Sequence, residues 1–153
     1  MEQEITLNAH NKQEYPPSHT AEHLLNATMV KMFGCPRSRN AHIERKKSKI
    51  NFELAECPTP EQVAAIEQKI NELIAQDLPV TYEFVTRDQI PEGVSLEKLP
   101  EDASETLRLV RIGDYDTCAC IGLHVTSTKE IGAFRITSTS FEPGNFRIVF
   151  KLG

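Results

Sequence analysis

The sequence predicts an α+β domain in which two long helices pack on one face of a largely antiparallel sheet. Apolar residues recur at helical spacing in residues 19–33 and again in residues 60–73. Other short segments alternate apolar and polar residues, which is typical of strands with one buried face. Because the helices interleave with strands that are mostly neighbours in sequence, the class is α+β.

Both predicted helices have signals at their ends. The first follows Tyr15 and two prolines, and we expect Ser18 to be its N-cap. Gly34 stands where a C-terminal cap belongs. The second begins with TPEQ at residues 59–62, a capping residue followed by proline at the first helical position and a capping-box glutamine. Its buried stripe is predicted to consist of Val63, Ile66, Ile70 and Leu73.

Five strands are predicted between and after the helices. The first, at 49–54, places Ile50, Phe52 and Leu54 inward. The second contains the alternating residues Val80, Tyr82 and Phe84. The remaining three are predicted at 107–112, about 131–137 and 146–152, and residues 87–105 are predicted to form a long connection.

The size and composition favour a single ordinary domain. The 153 residues suit one hydrophobic core, so we assign 1–153 to one domain with 1–17 as an N-terminal lead-in. Hydrophobic residues make up 39% and charged residues 25%, as in other globular proteins. The polar, acidic start and the lack of a long apolar run predict a cytoplasmic protein that does not enter a membrane. A net charge of −5 argues against indiscriminate coating of nucleic acid.

Histidine and cysteine occur in two pairs with the same spacing. His19 and His23 are four residues apart on the predicted helix, so their Cβ atoms lie roughly 5–6 Å apart and the two rings can converge on one ion. Cys120 and His124 repeat the spacing, with a glycine between them. The four cysteines are too few for a disulfide scaffold, so free thiols or metal ligands are favoured. Together the two pairs indicate a tertiary zinc site.

Neighbouring residues leave alternatives open. Glu22 flanks the histidine pair and could act as a general base, although a glutamate in a first helical turn more often favours the helix dipole. Thr20 stands where a zincin peptidase needs glutamate, so that type of peptidase is not favoured. On an extended backbone, Cys118 points to the same side as Cys120. Cys118 is therefore either a substitute ligand or an ordinary buried thiol.

Four motifs, in order along the chain, resemble a known family. HTAEHLLN at residues 19–26 closely resembles the His-Thr-Ala-x-His-Leu-Leu motif of alanyl-tRNA synthetase editing domains and of the freestanding AlaX deacylases. IGDYD and CIGLHV, at 112–116 and 120–125, are similar to the family segment that ends in Cys-Gly-Gly-Thr-His-Val. The third motif is TKEIGAFRI at 128–136 and the fourth is GNFRI at 144–148, and both are similar to segments that follow in the family. The resemblance covers essentially residues 15–153.

The resemblance implies a minimal, two-layer editing domain that cleaves the ester between a wrong amino acid and the 3′ end of tRNA. It carries the four zinc ligands of the family onto His19, His23, Cys120 and His124. It implies serine, glycine or alanine on the tRNA for alanine as the most promising substrates. Four protein ligands normally mark a closed structural site. Three alternatives follow: one ligand, with His124 the first candidate, is loose or swings away; zinc becomes five-coordinate when substrate arrives; or zinc only positions the substrate.

The chain departs from the family motifs at three positions. Ile121 replaces a glycine, Leu123 replaces a threonine and Phe146 replaces an arginine. The first two add apolar bulk where the amino acid or the terminal adenosine would lie. We therefore expect Thr20, Ile121 and Leu123 to line the substrate pocket.

A tRNA partner requires contacts to phosphates, and one stretch is rich in cations. Residues 36–50 carry a single acid, Glu44, and a set of basic residues predicted to bind tRNA, namely Arg37, Arg39, Arg45, Lys46, Lys47 and Lys49. The alternative is an ordinary solvated surface. We expect tRNA, and neither DNA nor a membrane, to be the partner. Two other functions remain open: a zinc-stabilised RNA-binding module without catalysis, and a metal-dependent hydrolase of small aminoacyl esters.

Overall fold

The computed structural model describes residues 15–38, 40–43, 47–86, 106–119 and 124–152. It confirms the α+β class, with two helices and two antiparallel sheets. The helices are α1 (Pro16–Phe33) and α2 (Pro60–Ala75). The strands are β1 (Asn40–His42), β2 (Ser48–Phe52), β3 (Val80–Thr86), β4 (Thr106–Ile112), β5 (Asp116–Ala119), β6 (Phe134–Glu142) and β7 (Asn145–Leu152), and a one-turn 3-10 helix at Thr128–Ile131 precedes β6.

The strands form two sheets where the sequence indicated one. One sheet has the order β1-β2-β7-β6, the other has the order β3-β4-β5, and every pairing is antiparallel. Neither β1 nor β5 was predicted. The strand expected at 131–137 begins three residues later, because Ile131 closes the 3-10 helix. The connection predicted at 87–105 lies outside the described residues.

Helix α1 begins earlier than predicted. Its N-cap is Tyr15, which makes no capping bond through its side chain, and a proline occupies the first helical position. The prediction that Ser18 caps the helix is therefore wrong: Ser18 lies inside the first turn and is buried. Proline fits there because its fixed φ suits the first turn and its missing N–H would have had no helical partner. At the other end the prediction is confirmed: Gly34 has φ +69° and donates its N–H to the carbonyl of Val30.

Helix α2 follows its predicted signals. The N–H of Gln62 donates to the Thr59 hydroxyl at 3.1 Å, and the N–H of Thr59 donates to the Gln62 side chain at 2.8 Å. This reciprocal pair is the predicted capping box. Within the predicted stripe, Ile66, Ile70 and Leu73 are buried, and Val63 is partly buried against the same core.

One hydrophobic core joins both helices to both sheets. Ile50, Phe52 and Leu54 point into it as predicted, although Leu54 lies just beyond the end of β2. Phe146, which replaces the arginine of the family motif, is fully buried opposite Phe52 in the β2–β7 ladder. This departure from the motif therefore contributes to the core. In the described part of the chain, no helix is long and apolar enough to cross a bilayer.

Strand β3 begins in the core and becomes exposed toward its C-terminal end. Val80 is buried, but Tyr82 and Phe84, on the same face, are 43% and 70% exposed. The alternation in the sequence thus identified the strand, while only its first alternating residue is buried.

Candidate metal centre

Helix α1 passes through the interior of the protein. Residues 18–29 are all buried, so this helix has no solvated face along three turns. His19 and His23 lie one turn apart on it, with ring centroids 5.1 Å apart. A four-residue spacing places both rings on one side of the helix, as the sequence predicted.

The third imidazole comes from a distant part of the chain. His124 stacks on His19 with ring centroids 4.2 Å apart and an interplanar angle of 22°. It meets His23 edge to face at 4.5 Å. One nitrogen from each of the three rings lies within 4.8 Å of the others, an arrangement that could hold a metal ion. We call these three residues the histidine cluster.

The structure thus brings together three of the four predicted zinc ligands. The fourth, Cys120, lies outside the described residues, as do Ile121 and Leu123 of the predicted pocket. Cys118 is described: it is a fully buried cysteine on β5 whose Sγ lies 3.5 Å from the carbonyl oxygen of Ala119. It does not belong to the histidine cluster.

The Thr20 hydroxyl connects helix α1 to the segment that carries His124. Thr20 Oγ1 lies 2.9 Å from Nδ1 of His124 and accepts the N–H of Val125 at 3.2 Å. Thr20 is fully buried. Since its hydroxyl engages Nδ1, it orients the ring so that Nε2 is the nitrogen available to a metal. The sequence predicted Thr20 as a pocket residue and did not reveal this contact, which joins residues 104 positions apart.

A buried carboxylate lies behind His23. Asp116 Oδ2 is 3.6 Å from Nδ1 of His23. The same carboxylate accepts two hydrogen bonds from Arg37, at 2.8 and 3.2 Å. Burial alone would lower the pKa of the Arg37 guanidinium, but the charge and hydrogen bonds of Asp116 outweigh it and raise this pKa. Arg37 is therefore a fixed cation, and the pair forms a charged support beside the cluster.

Sequence reasoning did not identify Asp116, although one signal was present. Residues 116 and 118 alternate along β5, so Asp116 points to the same face as Cys118. Recognising this required the strand β5, which has only four residues. A carboxylate behind a histidine ligand is a frequent second contact in zinc sites, where it fixes the orientation of the imidazole.

Glu22 is buried at the edge of the histidine cluster. Its Oε1 lies 3.9 Å from Nε2 of His19, which is longer than a hydrogen bond. Only 2% of the residue is exposed. Because α1 begins at Pro16, Glu22 lies beyond the first turn, and the expectation that it serves the helix dipole there is wrong. Its burial beside a histidine favours a role at the site.

The predicted tRNA contacts differ in their surroundings. Lys47 and Lys49 are exposed, as phosphate contacts require. Arg37 instead directs both terminal nitrogens of its guanidinium at Asp116 inside the protein. Arg39, Arg45 and Lys46 lie outside the described residues.

Comparison with known proteins identifies the relatives of this chain. Residues 107–149 match the family described as threonyl and alanyl tRNA synthetase second additional domain. The alanine–tRNA ligase of Idiomarina loihiensis is 30% identical over 133 residues, or 86% of this chain. That of Streptococcus gordonii is 32% identical over 139 residues, and that of Methanococcus maripaludis is 27% identical over 152 residues, which cover 89% and 97% of this chain.

The matched segment is a small part of each relative. It covers 15%, 16% and 17% of the three ligases, so the chain corresponds to one portion of these enzymes. Nevertheless, the alignments extend over most of this chain and agree with the family match. The resemblance to the alanyl-tRNA editing domain, first indicated by the motifs, is therefore confirmed.

Proposed function

We propose that this chain, a relative of the second additional domain of threonyl and alanyl tRNA synthetases, is a zinc-dependent deacylase of mischarged aminoacyl-tRNA. The observation that carries the proposal is the histidine cluster, in which three buried or nearly buried imidazoles converge within 4.8 Å. The proposed substrates are serine, glycine or alanine esterified to the tRNA for alanine. We propose that the protein acts in the cytoplasm.

The donor set suits zinc. Imidazole nitrogen is a preferred ligand of this ion, and three imidazoles with a thiolate from Cys120 would complete a tetrahedral set. The surroundings also fit, because the Thr20 hydroxyl lies 2.9 Å from Nδ1 of His124 and the Asp116 carboxylate lies 3.6 Å from Nδ1 of His23. When bound there, zinc would polarise the carbonyl of the ester.

The residues of the chain would carry the remaining steps. Glu22 is our candidate for the general base, since Asp116 is already engaged by Arg37. A water oxygen would attack the ester carbonyl carbon while its proton passes to a Glu22 carboxylate oxygen. The bond to the 3′ or 2′ oxygen of the tRNA would then break, and that oxygen would receive the proton.

Selectivity would depend on more than an apolar pocket. Ile121 and Leu123 are proposed to line it beside Thr20. A hydrophobic pocket separates substrates that differ by a methylene or a hydroxyl by only about 1–3 kcal/mol. Leu123 also lacks the hydroxyl of the family threonine, so polar contacts or the tRNA itself must supply the rest of the discrimination.

The exposed lysines are proposed to contact tRNA phosphates, together with Arg39, Arg45 and Lys46. Replacing Lys47 and Lys49 by glutamate should weaken tRNA binding and flatten its dependence on salt, since fewer counterions are released. Zinc content should not change. An unchanged salt slope would assign these lysines to the ordinary solvated surface.

The decisive experiment combines metal analysis with deacylation assays. Zinc-loaded protein should release amino acid from at least one of Ser-, Gly- or Ala-tRNA for alanine far faster than the His23→Ala variant does. Equal rates on all three would refute the deacylase and favour an RNA-binding module that zinc only stabilises. Equal activity of the wild type on free amino-acid esters and on charged tRNA would favour a hydrolase of small esters.

A further inference from the structure

An exposed aromatic surface lies next to the metal centre. Tyr82 and Phe84 project from the same face of β3, and both are much more exposed than large apolar side chains usually are. Arg108 on β4 lies directly opposite Phe84 in the ladder, and its guanidinium is 4.5 Å from the centre of the Tyr82 ring. We call Tyr82, Phe84 and Arg108 the aromatic platform.

The register of the sheet connects the platform to the histidine cluster. Tyr82 lies opposite Val110, and Val110 lies opposite Cys118. One step further along the same face is Asp116, which contacts His23. The face is thus buried where it meets the cluster and becomes exposed at the platform. The rings of Tyr82 and His124 are only 6.5 Å apart, so the platform begins at the edge of the cluster.

The chemistry of the platform matches a nucleotide. Aromatic rings stack on any nucleobase, and an arginine beside them can stack as well or bind a phosphate. The acid between the two aromatic residues on β3, Glu83, points to the other face of the strand and is paired with Arg111 at 2.7 Å. The platform itself presents two aromatic rings beside a guanidinium, groups on which a base can stack.

We propose that the aromatic platform binds the terminal nucleoside of the acylated strand, with its base on Tyr82 and Phe84. This inference rests on the proposed function and adds the subsite for the leaving group. Because the ester is on the ribose attached to that base, a base stacked here places the ester within about one sugar of His124. The platform thereby positions the substrate, while the histidine cluster lies at the bond that breaks.

The test measures binding separately from hydrolysis. The probe is a fluorescently labelled, non-acylated oligoribonucleotide that ends in the acceptor sequence of tRNA, added to zinc-loaded protein. Stacking on one aromatic residue is worth about 5- to 150-fold in affinity, so Phe84→Ala should raise the dissociation constant by that factor. Phe84→Trp should restore tight binding. The control is Met32→Ala, which removes another exposed apolar side chain (41%) from α1 and should leave binding unchanged.

A second probe identifies the contacted group. An oligonucleotide that lacks only its terminal base should bind wild type about as weakly as the intact probe binds Phe84→Ala. In charged-tRNA assays, Phe84→Ala should raise KM more than it lowers kcat. Equal affinity of wild type and Phe84→Ala for the intact probe would overturn the platform. So would a change in oligomeric state without a change in binding, which would assign this surface to a contact between copies of the chain.

The two proposals fail in different ways. If the deacylase proposal is wrong, no aminoacyl-tRNA is turned over, yet Phe84→Ala still binds the probe less tightly than wild type. If the platform is wrong, turnover persists and Phe84→Ala matches wild type in both binding and KM.

Discussion

The two helices of this protein differ in how they are buried and in how they begin. Helix α2 presents one apolar stripe to the core, leaves its other residues exposed or partly buried, and begins with a complete capping box. Helix α1 is buried around its whole circumference from residue 18 to residue 29, and no side chain caps its start. The local sequence therefore favours helix formation more strongly in α2 than in α1. Helix α1 is the one that carries His19 and His23 of the histidine cluster.

The polar residues of α1 explain the difference. A buried polar group destabilises a fold unless it finds a partner, so each one in α1 requires a matching group elsewhere. Asn26 accepts the N–H of Ser38 at 2.7 Å, and the hydroxyls of Thr28 and Tyr115 are 2.7 Å apart. These bonds fix the helix beside β5 and the loops that flank it. The consequence is a buried setting for His19 and His23 on a helix held in place by hydrogen bonds.

Removing a ligand on α1 should have the largest effect. We expect about one zinc per chain in the wild type and almost none in His23→Ala, because a single missing ligand destroys the tetrahedral set. Cys120→Ala should also lose zinc, whereas Cys118→Ala should keep it. Elemental analysis of purified, dialysed protein measures this. The reverse result for the two cysteine variants would show that the fourth ligand is Cys118.

Truncating the stripe of α2 should affect folding alone. Ile70 is fully buried, so Ile70→Ala should lower the free energy of unfolding by about 2–5 kcal/mol. The folded fraction should still bind zinc normally. Denaturant titration gives the first quantity and metal analysis the second. Gln68→Ala, on the exposed side of the same helix, is the control and should change stability by less than about 0.5 kcal/mol.

Removing the support behind His23 should have an intermediate effect. Asp116→Asn should weaken zinc binding by about 10–100-fold, since it removes a charged group that orients a ligand. It should also destabilise the fold, because Arg37 loses its buried partner. Competition with a chromophoric chelator measures the zinc affinity. Arg111→Gln breaks the exposed ion pair with Glu83 on the same sheet and should leave zinc binding unaltered. A wild-type zinc affinity in Asp116→Asn would limit Asp116 to pairing with Arg37.

The same contrast explains what the sequence could reveal about the fold. Helix α2 and β7 were predicted almost to the residue, because their apolar period and end signals are local. Strands β1 and β5 have three and four residues, too few to show a period. Strand β6 was misplaced because its second half, around residues 138–140, is polar and exposed, so no alternation marks it. The division into two sheets depends on pairings between distant strands.

The residues of the site also fall into those that a local pattern reveals and those that it does not. His19 and His23 could be recognised because a helix turns a four-residue spacing into proximity. The contact between Thr20 and His124, and the pair formed by Arg37 and Asp116, join residues 104 and 79 positions apart, and no local pattern encodes them. Tyr82 was read as one member of an alternating strand, yet its exposure, which suggests the platform, appears only in the structure.

The smallest effect we predict concerns the start of α2. Thr59→Ala removes the hydroxyl that accepts the N–H of Gln62, so it should lower the free energy of unfolding by about 1 kcal/mol. Thr59→Ser keeps the acceptor and should change stability much less. Neither variant should alter zinc content or deacylation, because the capping box lies at the start of the helix that carries no ligand. Thermal unfolding of the zinc-loaded protein tests the stability, with a deacylation assay on the same samples. A loss of activity in Thr59→Ala at unchanged folded fraction would contradict this prediction. It would show that the start of α2 influences the histidine cluster on α1.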